Sequence, residues 1–283
     1  MDRKATAAET LAITERGYYE TADARVDISA LQEHARADSF LLTPEQSGAL
    51  LDSYERGGAS DTAAGMVERT VYTVGNCGVV DAILESAAQG KAPAVLNFAS
   101  AKNPGGGFLN GAMAQEESLA ASGSLYETQL IHRAYYEKNR ACGTMMYTDH
   151  AIYSPDVVFF RDGKSALLRE PVTASVLTLP AVNMGQVMLR GEDRREAERV
   201  MKRRMGIALA IFARQGCRNL ILGAYGCGVF RNDPEQIAAW WKEWLDGTFS
   251  GLFADIVFAV LDRSRTETCI GPFVRLFGGE NRD

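Results

Sequence analysis

The sequence predicts a layered α/β domain with a central sheet of parallel or mixed pairing, preceded by a helical front. Short β-branched runs alternate with amphipathic segments from about residue 67 onward, and glycine or proline marks most of their ends. The 283 residues are 46% hydrophobic and 23% charged, which is enough apolar material for a full core. No internal repeat or low-complexity tract points to another architecture.

Two helices are predicted in the front of the chain. Residues 3–20 are alanine-rich, with apolar residues spaced among charges. The segment TPEQSGALLDSYERGG begins with Thr-Pro and ends with Gly-Gly, as helices do. We expect residues 1–65 to form a helical extension that packs on a body formed by residues 66–283.

The elements of the body are predicted from hydrophobic patterns. Strands are predicted at VERTVYTV, APAVLNFAS, VTASVLTLPA, RNLIL and ADIVFAVLD, and extended segments crossed by a Ser-Pro turn at MMYTDHAIYSPDVVFFRDG. Helices are predicted at VVDAILESAAQG, in one long segment over residues 115–139, at EDRREAERVMKRRMGIALAIFARQG and at DPEQIAAWWKEWLDG. This alternation of strands and helices is the basis of the α/β assignment.

Charge and hydropathy argue against several partners. The net charge of −6 repels DNA and anionic membrane surfaces. No apolar run approaches the roughly 20 residues that span a bilayer, and MDRKATAAETLAITERGYYE lacks the apolar core of a signal peptide. A cytoplasmic location is therefore expected. The basic side chains of EDRREAERVMKRRMG are expected to face solvent, with a nucleic-acid contact as the alternative.

Several reactive or aromatic residues outside the glycine loops are interpreted as structural. The five cysteines are scattered and the three histidines have no ligand spacing, so neither a disulfide framework nor a metal site is expected. Asp149 and His150, adjacent in YTDH, are interpreted as an exposed polar pair. Phe253, Phe258 and Phe273, near the last predicted strand, are interpreted as core.

Two glycine-rich loops follow predicted strands, where open α/β sheets bind ligands. NPGGGFLNGAMAQEES follows AVLNFAS, and GAYGCGVFRNDP follows NLIL. Neither has the Lys-Ser/Thr of a P-loop or a complete G-x-G-x-x-G, so kinase and dehydrogenase chemistry are poorly supported. The second loop is either an anion-binding nest for a diphosphate or a plain turn. Phe230, which follows it, is either core or a platform for a sugar or base.

Two adjacent carboxylates, Glu116 and Glu117, lie in the first turn of the helix predicted after the first loop. Acids there complement the helix dipole, which is a sufficient structural reason for them. Neighbouring helix residues point about 100° apart, so both carboxylates cannot serve the same atom equally. One of them is expected to face the loops, where desolvation favours the neutral form that a general acid needs and the helix start opposes it.

The first loop resembles the GGG-spacer-QEE signature of poly(ADP-ribose) glycohydrolases. Gly105, Gly106 and Gly107 are followed, after seven residues, by Gln115, Glu116 and Glu117. The second loop is similar to the diphosphate loop of these proteins, and PAVLNFASAKNPGGGFL and YTDHAIYSPDVVFFRD look like their microbial short form. The resemblance extends over nearly the whole chain and is weakest at the front.

The resemblance implies a macrodomain-like, three-layer α/β/α fold with a mixed central sheet. It also implies hydrolysis of ribose–ribose O-glycosidic bonds in poly(ADP-ribose), mainly from the chain end, with release of ADP-ribose and without a metal or other cofactor. The implied partners are poly(ADP-ribose) or ADP-ribosylated protein, with neither DNA nor a membrane.

Site residues carry over from the resemblance position by position. Glu117 is implied to be the catalytic acid, with Glu116 beside it in a ribose site lined by the first glycine loop. Asn103 and Gln115 are implied as polar contacts or loop braces. The second loop is implied to bind the diphosphate through Gly226, Cys227, Gly228 and Val229, and to order the terminal ribose through Phe230. Ser100 stands near where many macrodomains have an asparagine, so a contact there toward the distal ribose is not assumed.

Three other functions stay open. The first is another ADP-ribosyl hydrolase, acting on a protein–ADP-ribose bond or on O-acetyl-ADP-ribose. The second is a non-catalytic ADP-ribose reader, which needs the loops and Phe230 but not Glu117, so the intact QEE favours an enzyme. The third is a nucleic-acid-binding protein that uses the arginine-rich helix, against which the net charge argues.

Overall fold

The computed structural model describes residues 2–57 and 67–279. Its helices are α1 (Arg3–Arg16), α2 (Ser29–Ala37), α3 (Pro44–Glu55), α4 (Val79–Ala88), α5 (Gln115–Ser122), α6 (Leu125–Leu130), α7 (Arg133–Ala141), α8 (Met184–Arg190), α9 (Arg194–Arg214), α10 (Pro234–Asp246) and α11 (Gly271–Phe277). Its strands are β1 (Tyr18–Glu20), β2 (Arg25–Asp27), β3 (Phe40–Leu42), β4 (Val71–Gly75), β5 (Pro93–Ala99), β6 (Ala151–Arg161), β7 (Leu167–Pro180), β8 (Asn219–Leu222) and β9 (Asp255–Ala259). These elements form two compact units.

The first unit is built from described residues within Met1–Leu42, Gly78–Ala141 and Ala151–Leu179. Its main strands lie in the order β3-β6-β7-β5, and β6 pairs antiparallel with both of its neighbours. Strands β1 and β2 form a separate antiparallel pair. Nearly every residue of β5 is buried, as expected for a strand covered on both faces. The first glycine loop begins directly after this strand.

The second unit is built from described residues within Thr43–Cys77, Cys142–His150 and Pro180–Asp283. Its strands lie in the order β8-β9-β4, and both pairings are parallel. Parallel neighbours need a crossover, which α10 supplies between β8 and β9. Phe212, Trp241 and Phe258 are fully buried among these elements. The second glycine loop lies between β8 and α10.

Helix α1 contacts the segment that carries the first glycine loop. Its Ala7 belongs to a buried cluster with Phe108, which follows the three glycines. Thr10 Oγ1 donates a hydrogen bond to the Ala121 carbonyl in α5 at 2.7 Å, and the buried Arg161 of β6 donates to the same hydroxyl at 3.2 Å. The front of the chain therefore supports both the loop and the helix that bears the glutamates.

The single long helix predicted over residues 115–139 is wrong. The helix α5 ends before Gly123, whose φ of −166° is extended and which forms a β-bridge with Phe159 of β6. Ser124 then donates its N–H to the Val158 carbonyl at 2.9 Å, and its Oγ accepts the Val158 N–H at 3.1 Å. Pairing with a strand outweighs helix propensity here, so the two glutamates lie on a short helix of eight residues.

Most of the other predicted elements are confirmed, with changes at their ends. The first predicted helix stops at Gly17, which has a φ of +76°, and residues 18–20 form a strand instead. The predicted Ser-Pro turn is wrong, because β6 continues through it with an irregular register between Ser154 and Val157. The sequence patterns missed β1, β2, β3, α2, α8 and α11.

Antiparallel pairing in the first unit and parallel pairing in the second agree with the prediction of mixed strand pairing. Phe253, Phe258 and Phe273 are fully buried, which confirms their interpretation as core. The predicted boundary between residues 65 and 66 lies outside the described residues.

Candidate active site

The first glycine loop lies against both glutamates of α5. Gly105 and Gly106 have φ of +62° and +59°, in the left-handed region that favours glycine. A Cβ on Gly106 would collide with Glu117 Oε1 and would lie 3.0 Å from Glu116 Oε2. The Gly107 N–H donates a hydrogen bond to Glu117 Oε1 at 2.9 Å. Glycine is therefore required where the loop crosses the carboxylates.

Glu116 is buried and its carboxylate is held by three donors. Its exposed fraction is 3%. Its Oε2 accepts the Ser100 N–H at 2.7 Å, while its Oε1 accepts Asn97 Nδ2 at 3.1 Å and Gln129 Nε2 at 2.9 Å. Burial raises the pKa of Glu116 to about 7, against the lowering effect of these hydrogen bonds, and the Glu117 charge adds to the rise. Its position leaves it little freedom to meet a reacting atom.

Glu117 is half-buried and differs from its neighbour in its contacts. One carboxylate oxygen accepts the Gly107 N–H. Within the described part of the chain, no protein group donates to its other oxygen, Oε2. Both carboxylates approach Gly106, so the expectation that only one of them faces the loops is wrong, although their hydrogen-bond partners differ as expected for neighbours in a helix.

The burial of Glu116 predicts a pH-dependent stability. Its pKa is 4.5 in the unfolded chain and about 7 in the folded one. Between these values the folded state holds the proton more tightly, so stability present at low pH is lost as pH rises through 7, by about 3 kcal/mol in all. We expect the unfolding free energy of the wild type, minus that of Glu116→Gln, to fall by about this amount between pH 4 and pH 8 in urea denaturation.

A matched control for this measurement is Glu137→Gln, at an exposed position of α7. The difference between the wild type and this variant should stay flat over the same pH range. A flat difference for Glu116→Gln as well would contradict the assignment of a raised pKa to Glu116.

Gln115 and Asn103 brace the loop from either end. The Oε1 of Gln115 accepts the Phe98 N–H at 2.9 Å and its Nε2 donates to the Leu96 carbonyl at 2.8 Å, so both ends of the amide are bonded to β5. The side chain of Asn103 is exposed, and its backbone carbonyl accepts the Gly106 N–H at 3.0 Å. The Gln115 side chain thus ties the start of α5 to β5, whereas Asn103 bonds to the loop through its backbone, and the role of its side chain stays a prediction.

Two residues in this cluster were missed by the sequence analysis. Asn97 and Gln129 are fully buried, and both donate to Glu116 and approach Thr178 Oγ1. Asn97 is a polar residue inside the apolar strand PAVLNFA, which is a signal that could have identified it. Gln129 lies in a helical segment of mixed polarity, and no local signal marks it.

The second glycine loop is held in shape by Asn232 in the second unit. A Cβ on Gly226, which has a φ of +73°, would lie 2.7 Å from the Cβ of Ala181. The buried Asn232 donates to the carbonyls of Val182 at 2.8 Å and Gly226 at 3.1 Å. The cap of α10 is Asp233, whose Oδ1 accepts the Glu235 N–H at 3.0 Å. These bonds fix the loop from both sides.

Three consecutive backbone donors of this loop remain open. Within residues 2–57 and 67–279, no protein acceptor pairs with the N–H of Gly228, Val229 or Phe230. The Val229 side chain is 82% exposed, and the half-buried Phe230 ring has its centroid 6.2 Å from that of Tyr147. Open amides behind a helix start favour the anion-nest interpretation over a plain turn.

The predicted site residues thus fall into two groups. The structure brings together Asn103, Gly105, Gly106, Gly107, Gln115, Glu116 and Glu117 in the first unit. It places Gly226, Cys227, Gly228, Val229 and Phe230 on one loop of the second unit.

The basic helix α9 is neutralised by acidic partners. Arg204 is buried, so the prediction that it faces solvent is wrong. Its Nε donates a hydrogen bond to Asp149 Oδ1 at 2.8 Å. Asp149 therefore pairs with arginine, and His150 is itself buried, so their interpretation as an exposed pair is wrong. A groove of about 710 Å³ on this helix has both signs of charge, and its lining includes Arg199, Lys202, Arg203, Glu55, Glu196 and Glu243. This balance argues against a nucleic-acid surface.

Two further kinds of feature are absent from the described part of the chain. None of its helices combines the length and apolar character needed to cross a bilayer. No group of three or more histidine, cysteine, aspartate or glutamate side chains there is arranged to bind a metal ion.

The fold and the first unit's site define an α/β protein with a carboxylate pair set against a glycine loop, a layout suited to glycoside hydrolysis. Residues 7–162 match the family described as microbial-type PARG, catalytic domain, where PARG is poly(ADP-ribose) glycohydrolase. The chain therefore belongs to the microbial-type PARG family. Membership of this family of glycosidases confirms the predicted enzyme class.

Solved structures agree with this assignment. The poly(ADP-ribose) glycohydrolase of Thermomonospora curvata is 38% identical, with a TM-score of 0.90 over 97% of this chain and 99% of that one. Its complex with the inhibitor ADP-HPD is also 38% identical, with a TM-score of 0.87 over 96% and 98% of the two chains. The Deinococcus radiodurans enzyme in complex with ADP-ribose is 36% identical, with a TM-score of 0.80 over 89% and 98%.

These likenesses confirm the predicted mixed α/β, macrodomain-like fold. No curated protein sequence matches the chain.

Proposed function

We propose that this protein hydrolyses ribose–ribose O-glycosidic bonds of poly(ADP-ribose), mainly from the chain end, and releases ADP-ribose. The observation that carries the proposal is the difference between the two carboxylates. Glu116 accepts three hydrogen bonds and is buried, whereas Glu117 is fixed through one oxygen and keeps the other for a substrate. The similarity to solved structures that contain ADP-ribose and ADP-HPD supports a ligand of this class.

In the proposed mechanism, Glu117 performs both proton transfers. Its protonated form donates to the departing 2′-oxygen of the penultimate unit while an oxocarbenium-like centre develops on the terminal ribose. The resulting carboxylate then activates the water that completes hydrolysis. The Gly107 N–H fixes the orientation of the carboxyl group during both steps.

Glu116 has a positioning role in this proposal. Its carboxylate is rigidly held and lies 3.0 Å from the place that a Cβ on Gly106 would occupy. A ribose that approaches the glycine wall would meet this fixed acceptor through its hydroxyl groups. Binding energy from the ribose is thereby used to orient the anomeric carbon toward Glu117.

The second loop is proposed to bind the diphosphate. The open N–H groups of Gly228, Val229 and Phe230 are donors available to an anion. Gly226 and Cys227 shape the turn. The Phe230 ring is proposed to order the terminal ribose. Backbone donors can bind a phosphate without basic side chains, which suits a protein with a net charge of −6. The cytoplasmic location and the absence of DNA and membrane partners stay predictions.

The test is incubation of the wild-type protein with an automodified protein that carries poly(ADP-ribose). Free ADP-ribose is resolved from residual mono-ADP-ribosyl protein. Release of ADP-ribose with mono-ADP-ribosyl protein left behind supports the proposal. Loss of the last protein-linked unit would identify a mono-ADP-ribosyl hydrolase, and intact polymer that stays bound would identify a reader.

Substitution of Gly228 tests the diphosphate loop. A Cβ there would meet no protein atom within 4 Å, so Gly228→Ala should leave the fold unchanged. We expect its dissociation constant for ADP-ribose to rise at least about tenfold, because a methyl group blocks close approach of phosphate to the backbone. The measurement is calorimetric titration, with the melting temperature recorded in parallel.

Gly143→Ala is the matched control, since a Cβ at that exposed position of the second unit also meets no protein atom within 4 Å. It should bind ADP-ribose like the wild type. An unchanged affinity of Gly228→Ala for ADP-ribose would show that this loop does not bind the diphosphate.

A further inference from the structure

Gln129 connects the first glycine loop to Glu116 through a single buried amide. Its Oε1 accepts the Gly105 N–H at 2.7 Å and its Nε2 donates to Glu116 Oε1 at 2.9 Å. The residue is fully buried on α6, so it cannot touch a substrate itself. Both ends of the amide are committed, which fixes its orientation.

The loop has two such attachments to the α5 carboxylates. Gly107 is bonded directly to Glu117, and Gly105 is bonded through Gln129 to Glu116. Between them lies Gly106, whose backbone passes over both carboxylates. Loss of one attachment would release one end of the loop. The proposed reaction needs this loop to be fixed, because it positions the ribose against the carboxylates.

We propose that Gln129 is a positioning residue of the hydrolase site, which holds the glycine loop with its amide oxygen and the Glu116 carboxylate with its amide nitrogen. This inference rests on the proposed function. It assigns a role to a residue that lies outside both glycine loops and outside the QEE segment.

The charge state of this bridge follows from its surroundings. Titratable groups that act on the Glu116 charge within the described residues are Glu117 on the same helix and Tyr136 on α7. Burial, and then the Glu116 charge, raise the pKa of Tyr136, so that phenol stays neutral at working pH. Gln129 and Asn97 are the two neutral side chains that donate to Glu116, and of these only Gln129 also bonds to the glycine loop.

The variant Gln129→Glu gives a different pH dependence of activity for a positioning role than for a purely structural role. A protonated glutamate has the same shape as glutamine, accepts the Gly105 N–H and donates its O–H to Glu116. Two buried carboxyl groups in contact retain one shared proton until high pH, where the second ionisation breaks the bridge. The variant should thus match the wild type at low pH and lose activity as the pH rises.

The experiment compares kcat and KM for ADP-ribose release from polymer between pH 6 and pH 9. We expect Gln129→Leu, which loses both bonds, to have kcat lowered about 10- to 100-fold at every pH with a smaller change in KM. Gln129→Glu should stay within about threefold of the wild type at pH 6 and approach Gln129→Leu at pH 9.

Asn139→Leu is the matched control. Asn139 is also a fully buried amide of the first unit, and it donates to the Tyr135 carbonyl at 3.0 Å. This variant should lose stability while the folded fraction keeps the wild-type kcat and pH profile.

A ratio of Gln129→Glu to wild-type kcat that is constant with pH would overturn the proposal, even if Gln129→Leu does not fold. Wild-type protein that releases no ADP-ribose would instead contradict the proposed function. In that case the same variants are compared in ADP-ribose binding. There, affinity of Gln129→Leu within about twofold of the wild type overturns the positioning role, and any larger loss of affinity supports it.

Discussion

Glu117→Gln should lower kcat for ADP-ribose release about 1,000-fold, within the range that loss of a general acid and base produces. The substituted side chain can still accept the Gly107 N–H through its amide oxygen, so the loop keeps its attachment. The amide cannot supply a proton to the leaving oxygen or remove one from water. Catalysis is lost, whereas the shape of the site is retained.

The measurement pairs single-turnover release of ADP-ribose with calorimetric binding of free ADP-ribose. Binding by Glu117→Gln should stay within about threefold of the wild type, because a transition-state interaction is removed rather than a ground-state one. Glu137→Gln, at an exposed position of the same unit, should change neither quantity. Near wild-type turnover by Glu117→Gln would show that a residue other than Glu117 is the general acid.

The parts of the site that depend on local sequence could be predicted. The three glycines and the two glutamates lie within one segment, and the period of a helix separates the directions of adjacent carboxylates. The structure gives Glu116 and Glu117 different partners, as that argument requires. The strand before the loop was also predictable, since PAVLNFA is almost continuously apolar.

The parts that depend on distant residues could not be predicted. Glu116 is held by Asn97 and Gln129, which lie 19 and 13 positions away, and no local pattern links these three side chains. The end of α5 is likewise set by β6, since Ser124 pairs with Val158, 34 positions further along. Helix propensity alone favoured continuation, and tertiary pairing reversed it.

The arginine-rich helix shows the same limit. Its charges suggested an exposed basic face, but Arg204 lies inside the second unit and donates to Asp149 and to the Met146 carbonyl. A buried guanidinium with several acceptors is compatible with a core, and the acceptors come from a loop far away in sequence. The arginines that are exposed as predicted are Arg194, Arg195, Arg199 and Arg203. The charge pattern of the helix could not single out Arg204 as a buried residue.

Gly106→Ala should lower kcat/KM at least about 100-fold, since a displacement of about 1 Å at reacting groups has effects of this size. The new methyl group would collide with Glu117 Oε1 and would lie 3.0 Å from Glu116 Oε2, so the carboxylates or the loop must move. The left-handed φ of +59° adds a backbone strain of about 1 kcal/mol for alanine. Both effects act on the same atoms that position the ribose.

Gly90→Ala separates the steric effect from the backbone strain. Gly90 is an exposed residue of the first unit with a φ of +73°, and a Cβ there meets no atom within 4 Å. Both variants should lose about 1 kcal/mol of stability from the left-handed conformation. Only Gly106→Ala should lose activity in the polymer assay, because only its methyl group reaches the carboxylates. Equal activities of the two variants would show that the glycine loop is not the wall of the ribose site.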